Sequence, residues 1–467
     1  MQARTIAVVG GGITGLSAAY YLQQTIRKQG FDYEVKLIEA SHRLGGKIKT
    51  LKQDGYTIER GPDSLLARKP AIMKLIDELD LRDKMVRNHT GQSFILINNK
   101  LYNMPTGAFM GVPKQISTFF TLNAVSMTGK LRALGDLVKP RSKMGTDQSL
   151  GAFMRYRFGD ELVDKIIDPL LSGIYSGDLD QMSLMATFPN FYELEQKYGS
   201  LIKGLKETLP KPKNKKAAKK RAGMFVSFRD GLETIIHKLS DELEENTVLL
   251  NTAVDHIEKK DDVYHLLLGD GEVLKANAIV LATQHDAVPR MFSQYKFFNI
   301  LNTIPITSSA NVVLGFDQKD IKKDIDGTGF LVSKTSKVNI TACTWTHKKW
   351  PTTTPEGKAL IRCYVGRPDT PEIVDLPDEE LIDIVRKDLK KTMKLKAKPE
   401  FHVVTRWKNA RPQYNVGHVE KMDTIRKYTN EHLPGVFLAG SSYEGAGIPD
   451  CVAQGEKAAE NVISFLR

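Results

Sequence analysis

The chain has 467 residues, 41% of them hydrophobic and 26% charged, with a formal net charge of +12. A single hydrophobic core stops growing at roughly 250–300 residues, so two or three domains are expected. No apolar run approaches the ~18 residues of a membrane-crossing helix, and three scattered cysteines (Cys343, Cys363 and Cys451) exclude a disulfide framework or a paired-cysteine zinc site. Buried, inert thiols in a reducing cytosol are expected instead, with no metal site. The positive balance favours anionic partners, and no nucleic-acid-binding motif accompanies it.

The N-terminus runs straight into an apolar strand, TIAVV at 5–9, which predicts no signal peptide. Gly10, Gly12 and Gly15 then fit G-x-G-x-x-G. Apolar residues recur through a helix that Gly30 stops, and a second strand, EVKLIE, ends in Glu39. Strand, glycine turn, helix, strand and terminal acid together make the dinucleotide-binding βαβ unit. Gly10 permits the tight turn, Gly12 lets a pyrophosphate approach the backbone, and Gly15 lets helix pack on strand. The helix N-terminus offers free N–H groups to phosphates, and Glu39 accepts from ribose hydroxyls. The competing reading is a plain strand–helix turn without ligand.

Further along, 72–86 reads as a helix and 93–104 as a hairpin turning at Asn98-Asn99. Residues 105–210 are rich in helical pieces, Met, Phe and Leu, and suggest an inserted helical domain. Its apolar residues form either an ordinary buried face or a face resting on a membrane or partner. The basic run KPKNKKAAKKR, 211–221, reads as a solvated loop, with anionic lipid contact as the alternative. Residues 225–243 give a strand, a turn at Asp230-Gly231 and a helix. Three or four strands follow over 248–283, with hairpin signals at Lys260–Asp262 and Asp270-Gly271. Short strands crowd 300–370, a helix covers 378–394, and FHVVTRW at 401–407 is a strand.

The last stretch repeats the N-terminal design: an apolar strand, VFLAG, a glycine-rich turn, and a helix from about Asp450. A chain that returns at its end to complete a nucleotide site points to FAD. The isoalloxazine extends well past the pyrophosphate and needs a second contact surface.

Immediately after Glu39, "EASHRLGGKIKT" resembles the second signature of the flavin amine oxidase superfamily. "DGYTIERGPDSLL" follows, and the G-x-G-I-P-D-C of "AGSSYEGAGIPDCVAQG" is similar to the porphyrinogen oxidases within it. "IIDPLLSGIYSGD" at 166–178, "SLMATFPNF" and "CTWTHKKWP" resemble the Gram-positive bacterial branch, which acts on coproporphyrinogen III. The resemblance spans essentially the whole chain. It implies an α/β multidomain fold: a Rossmann-type FAD-binding domain (1–65, 223–290 and 405–467), a mixed-sheet substrate domain (66–104 and 291–404) and a helical insert (105–222).

Residue by residue, the resemblance implies that Gly10, Gly11, Gly12, Ile13, Thr14 and Gly15 hold the FAD pyrophosphate, and that Glu39 and Ala40 meet the adenosine ribose. Arg43, Gly45, Gly46 and Lys47 would line the phosphate and flavin side, and Gly61, Pro62, Asp63 and Ser64 would pass near the isoalloxazine. Val254 would meet adenine, Trp407 would stand near the flavin, and Gly447, Ile448 and Pro449 would cover its end. The stretch after the C-terminal strand lacks the cysteine that tethers flavin in many amine oxidases, which predicts noncovalent FAD.

The implied reaction is a six-electron oxidation of coproporphyrinogen III to coproporphyrin III, with O2 as acceptor and three H2O2 formed, in haem biosynthesis. A ferrochelatase would follow. Such chemistry needs binding and orientation more than a strong acid or base, so no catalytic residue is assigned. Four propionates suit a basic chain, with Arg68, Lys69 and Tyr364 as candidate substrate contacts. The expected location is the cytoplasm, with peripheral contact on the inner membrane face as an option. The rivals are a protoporphyrinogen IX oxidase on the same scaffold and a flavin amine oxidase-like enzyme.

Overall fold

The computed structural model describes residues 4–89, 92–104, 108–113, 120, 123–143, 147–208, 223–322 and 324–467. The basic run at 211–221 lies outside these residues.

The N-terminal strand Arg4–Val9 sits at the centre of a five-stranded parallel sheet. Tyr33–Ile38 pairs on one side and Ala278–Leu281 on the other; Val248–Leu249 and Val436–Leu438 complete the edges. Both faces are covered, which is why Ile6, Ala7 and Val8 read as a continuous apolar run and are fully buried. Helix Ile13–Gln29 and the C-terminal helix Ile448–Leu466 cover one face. They approach so closely that a Cβ on Gly455 would lie 2.5 Å from the Thr14 carbonyl. The other face packs against an antiparallel three-stranded sheet, Val254–Lys260, Val263–Leu268 and Val273–Ala276.

A seven-stranded mixed sheet forms the second body. Its order is Phe401–Pro412, Ile306–Asp317, Lys358–Val365, Ala342–Trp345, Gly329–Val332, Phe94–Ile97 and Lys100–Asn103. Only the pairing of Gly329–Val332 with Phe94–Ile97 is parallel. Helix Asp378–Met393 packs its Leu381, Val385 and Leu389 stripe against this sheet. The described helices between 127 and 208 build a third core around Phe153, Phe158 and Phe191, resting on Ile95 and Ile97 of the same sheet.

Local turn chemistry matches expectation. Gly30 ends the first helix at φ 67, donating its N–H to the Ile26 carbonyl. Asn98 and Asn99 both take positive φ, 49° and 62°, as a two-residue hairpin turn requires. Asp261 and Gly271 sit at the other hairpin tips.

Three expectations change. The stretch 248–283 holds five strands rather than three or four, because Val248–Leu249 and Ala278–Leu281, on either side of the antiparallel three in the chain, join the parallel sheet. The helix expected over 72–86 is Pro70–Glu78; Asp80, at φ 53, breaks it, and Met85–Arg87 is a strand. The strand expected over 401–407 runs to Pro412, because its long partner Ile306–Asp317 offers a ladder that far, across a bulge between Thr307 and Ser309. The cysteines are all buried and free, as expected, but Cys343 and Cys363 face each other across neighbouring strands.

Candidate functional site

The turn after the first strand shows what each glycine is for. Gly10 takes φ 108, and a Cβ there would meet the Ala282 carbonyl at 2.8 Å. A Cβ on Gly15 would lie 1.9 Å from the Gly10 carbonyl oxygen. Gly12 is different: a Cβ built on it meets no protein atom within 4 Å. Its bare face opens onto a cavity. The helix that starts at Ile13 has no side-chain cap and no acid in its first turn, so its N–H groups are open to an anion. Glu39 closes the far side. The Gly11 N–H donates to its Oε2 at 2.7 Å, and the Ser41 N–H and hydroxyl donate to Oε1 at 2.8 and 2.7 Å. A carboxylate has about four lone-pair sites, so further donors fit.

The cavity holds about 990 Å³. It opens at the carboxyl ends of the parallel strands, through Val9, Ile38, Ala282 and Gly440, where ligands of α/β sheets sit. It then passes Gly45–Ile48, Gly61, Pro62 and Ser64, and the start of the C-terminal helix. The seven-stranded sheet walls it with Ser309, Asn311, Tyr364, Trp407, Ala410, Arg411 and Pro412, and the helical region with Ile174 and Tyr175. Buried Thr283 Oγ1, Gln284 Oε1 and Asn311 Oδ1 have no hydrogen-bond partner, and all three residues line this space. Buried polar atoms are rarely left so. Together with the open face of Gly12, they fit an elongated polar ligand with a phosphate-bearing end.

Most of the sequence-predicted residues meet here. Gly10, Gly12, Ile13, Thr14, Glu39, Ala40, Gly45, Gly46, Lys47, Gly61, Pro62, Ser64, Val254, Tyr364, Trp407, Gly447 and Ile448 line the cavity. Others stand behind its wall. Gly11 and Gly15 face Leu44 and Gly10, and Pro449 occupies the first turn of the C-terminal helix. Arg43 does not point at the phosphate side: Glu233 holds its guanidinium at 2.9 Å, and the Gly46 and Ile48 carbonyls accept from it. It braces the Gly45-Gly46 loop from outside. Asp63 likewise turns away from the cavity, toward Lys349 at 2.9 Å and Arg362 at 3.8 Å.

Arg68 and Lys69 do not reach the cavity. The Lys69 ammonium is taken by Asp450 at 2.7 Å, and the Arg68 guanidinium lies over the Phe109 ring at 5.1 Å. Sequence reasoning missed Asn311, Thr283, Gln284, Tyr175 and Arg411. Arg411 escaped because the strand was ended at Trp407, four residues short of it.

Burial shapes the site's titrations. It lowers the Lys47 ammonium to about 8, helped by the neighbouring Arg411 charge. Burial also lowers Arg411 from its ordinary value, and raises the phenols of Tyr364 and Tyr175 to about 12 each. The Cys451 thiol, on the cavity wall, is pushed by burial up to about 11.

The family model for flavin containing amine oxidoreductases matches residues 13–463. The chain belongs to that family. It is 44% identical over 461 residues to the coproporphyrinogen III oxidase of Bacillus subtilis (strain 168), covering 99% of this chain and 98% of the relative. It is 43% identical to the coproporphyrinogen III oxidase of Staphylococcus aureus, covering 99% of this chain and all of the relative (100%). A solved structure from Exiguobacterium sp. 255-15, which carries a protoporphyrinogen oxidase name, superposes with a TM-score of 0.87 at 37% identity, covering 99% of each chain. This flavin oxidoreductase therefore has a flavin as its cofactor, and the cavity described above fits one. Among the described residues no helix is long and apolar enough to cross a membrane, and no cluster of His, Cys, Asp and Glu is arranged to hold a metal.

Proposed function

We propose that this flavoenzyme oxidises coproporphyrinogen III to coproporphyrin III, with FAD as cofactor and O2 as acceptor, in haem biosynthesis. The observation that carries this reading is the continuity of one cavity, from the glycine turn to a wall built by the seven-stranded sheet and Tyr175. One end suits a dinucleotide, and the other is lined partly by apolar side chains such as Ile174, Trp407 and Pro412. The names of the two relatives above 40% identity agree with it.

Bound flavin supplies the acceptance of electrons from the substrate and their delivery to O2. The chain's own part is to hold and orient. The uncapped helix end at Gly12 and Ile13 would hold the pyrophosphate, and Glu39 the adenosine ribose. Val254 would stand beside the adenine, and Gly447 and Ile448 would cover the flavin end, since all three line the cavity. Tyr364 stays a neutral phenol at physiological pH and so donates or accepts a hydrogen bond without acting as a base. Noncovalent attachment is supported by Cys451, which burial holds as a thiol. Cys343 and Cys363 lie in the core of the other sheet. Peripheral contact with an anionic membrane face is supported by Met127, Leu131 and Val138, which are large, apolar and exposed. A ferrochelatase would consume the product by inserting iron into the free porphyrin.

The test is aerobic turnover of coproporphyrinogen III and, separately, protoporphyrinogen IX, followed by porphyrin fluorescence. A higher kcat/KM for the tetrapropionate is expected. Equal or reversed preference would make this chain a protoporphyrinogen oxidase, the second reading, which the name of the Exiguobacterium structure favours.

A further inference from the structure

The cavity contains a guanidinium that no described residue neutralises. Arg411 lies near the end of strand Phe401–Pro412, opposite Thr307. Its Nε donates to Ser309 Oγ at 3.3 Å, while Nη1 and Nη2 have no partner among the described residues. The nearby charges make this worse. Lys47, also on the cavity wall and without an ion pair among the described residues, and Arg362, on the strand beyond Ile306–Asp317, are both positive. Arg411 is half-buried, so a ligand that fills the cavity displaces its remaining water; leaving the cation then without a counter-charge is costly, and the cost is relieved when the ligand brings an anion.

Two anions would enter this cavity, and their places differ. The pyrophosphate belongs to the glycine turn on the parallel sheet. Arg411 belongs to the other sheet, beside Tyr364 and Ser309. Two residues on, Gln413 Nε2 donates to the Tyr175 carbonyl at 3.0 Å, so Arg411 stands where the helical region closes the cavity. Two free Nη groups match the two oxygens of a carboxylate as a fork.

The geometry points to Arg411 as the residue that anchors a propionate carboxylate of the substrate, and thereby sets selectivity for the more anionic porphyrinogen. This rests on the proposed porphyrinogen oxidase reading. Lys47 adds charge to the same region, and Arg68 and Lys69 are engaged elsewhere.

The test uses the flavin-loaded full chain and the product, coproporphyrin III, with its tetramethyl ester as the uncharged control. Wild type should bind the acid more tightly than the ester. Arg411→Met should weaken acid binding by about ten- to a hundredfold, as expected for one charge-assisted pair, and leave ester binding unchanged. Arg411→Lys should recover part of the loss. In turnover, KM for coproporphyrinogen III should rise more than kcat falls, and visible flavin absorbance per chain should stay at the wild-type level. The acid–ester comparison on wild type needs no variant, so a misfolded Arg411→Met does not remove the test. Equal affinity of wild type for acid and ester would overturn the assignment. So would unchanged acid binding in Arg411→Met, or loss of flavin from it. In each case turnover by the wild type leaves the function standing. A wild type that neither binds coproporphyrin III nor oxidises its porphyrinogen overturns both.

Discussion

Lys349 donates to both carboxylate oxygens of Asp63, at 3.0 and 2.9 Å, in a site where both side chains are nearly buried. The pair joins the seven-stranded sheet region to the loop that passes the cavity at Gly61, Pro62 and Ser64. Arg362 donates to the Gly61 carbonyl, and Trp407 Nε1 to the Arg60 carbonyl at 2.9 Å. The loop is thus held from behind by cations and a ring nitrogen, and its cavity face stays free. Burial works to raise the Asp63 pKa, but Lys349 and Arg362 outweigh it and hold the carboxyl well below the usual range.

Lys349→Met should therefore destabilise the protein by about 3 kcal/mol, since it leaves a buried carboxylate with only Arg362 nearby. Urea denaturation measures this, and flavin absorbance should show weaker cofactor retention. Adding Asp63→Asn should restore much of the stability, because the orphaned charge is gone. A double variant no better than the single one would show that the ion pair is not the source of the loss.

Glu59 makes stability pH-dependent in the opposite sense to an ordinary paired acid. Burial raises its carboxyl to about 7, against hydrogen bonds from the Leu232 N–H at 2.6 Å and Thr50 Oγ1 at 3.0 Å. A folded pKa above the unfolded one means that the folded state binds the extra proton. This contribution is present in full below about pH 4.5 and is lost as pH rises through 7. Glu59→Gln should flatten the decline, gaining up to about 2 kcal/mol over wild type at pH 8 relative to pH 5. Melting temperatures at the two pH values decide it; parallel profiles would place the titration elsewhere.

What the sequence made legible was local. The glycine turn, Glu39, the hairpin at Asn98-Asn99 and the stop at Gly30 are each set by neighbours in the chain, and each is where it was expected. What it hid was non-local. Arg43 carries the family's arginine pattern, yet Glu233, far along the chain, decides where its guanidinium points. Arg411 becomes a cavity residue only because Ile306–Asp317 extends its strand. The fully buried Arg157, with Asp136 at 2.6 Å and Glu195 at 3.2 Å, sits among helices that read as merely apolar. No periodicity announces a buried ion triad, because its partners come from three separate helical segments.

The roles of the second and third glycines separate by mutation. Gly12→Val places its side chain into open cavity space, so the protein should fold normally and purify colourless. Gly15→Val drives a Cβ into the Gly10 carbonyl, 1.9 Å away, and should damage the fold itself. Circular dichroism with flavin absorbance separates the outcomes. A yellow, flavin-saturated Gly12→Val would mean that no phosphate approaches that face.

Peripheral membrane contact has a specific surface to test. Met127 and Leu131 lie one turn apart on helix Met127–Leu134, exposed by 56% and 61%, and Val138 follows at 86%. Side chains four apart share a helix face, so Met127 and Leu131 face the same way toward water, and Val138 adds a third exposed apolar group just beyond the helix. In a chain of net charge +12, such a patch would bind anionic vesicles through both charge and apolar insertion. Wild type should co-sediment with phosphatidylglycerol vesicles more than with phosphatidylcholine ones. Leu131→Glu with Val138→Glu should reduce that binding severalfold and leave turnover in detergent-free solution intact, since neither residue lines the cavity. Undiminished sedimentation of the double variant would move the contact to the basic residues elsewhere on the chain; no sedimentation of wild type would remove the membrane from the account altogether.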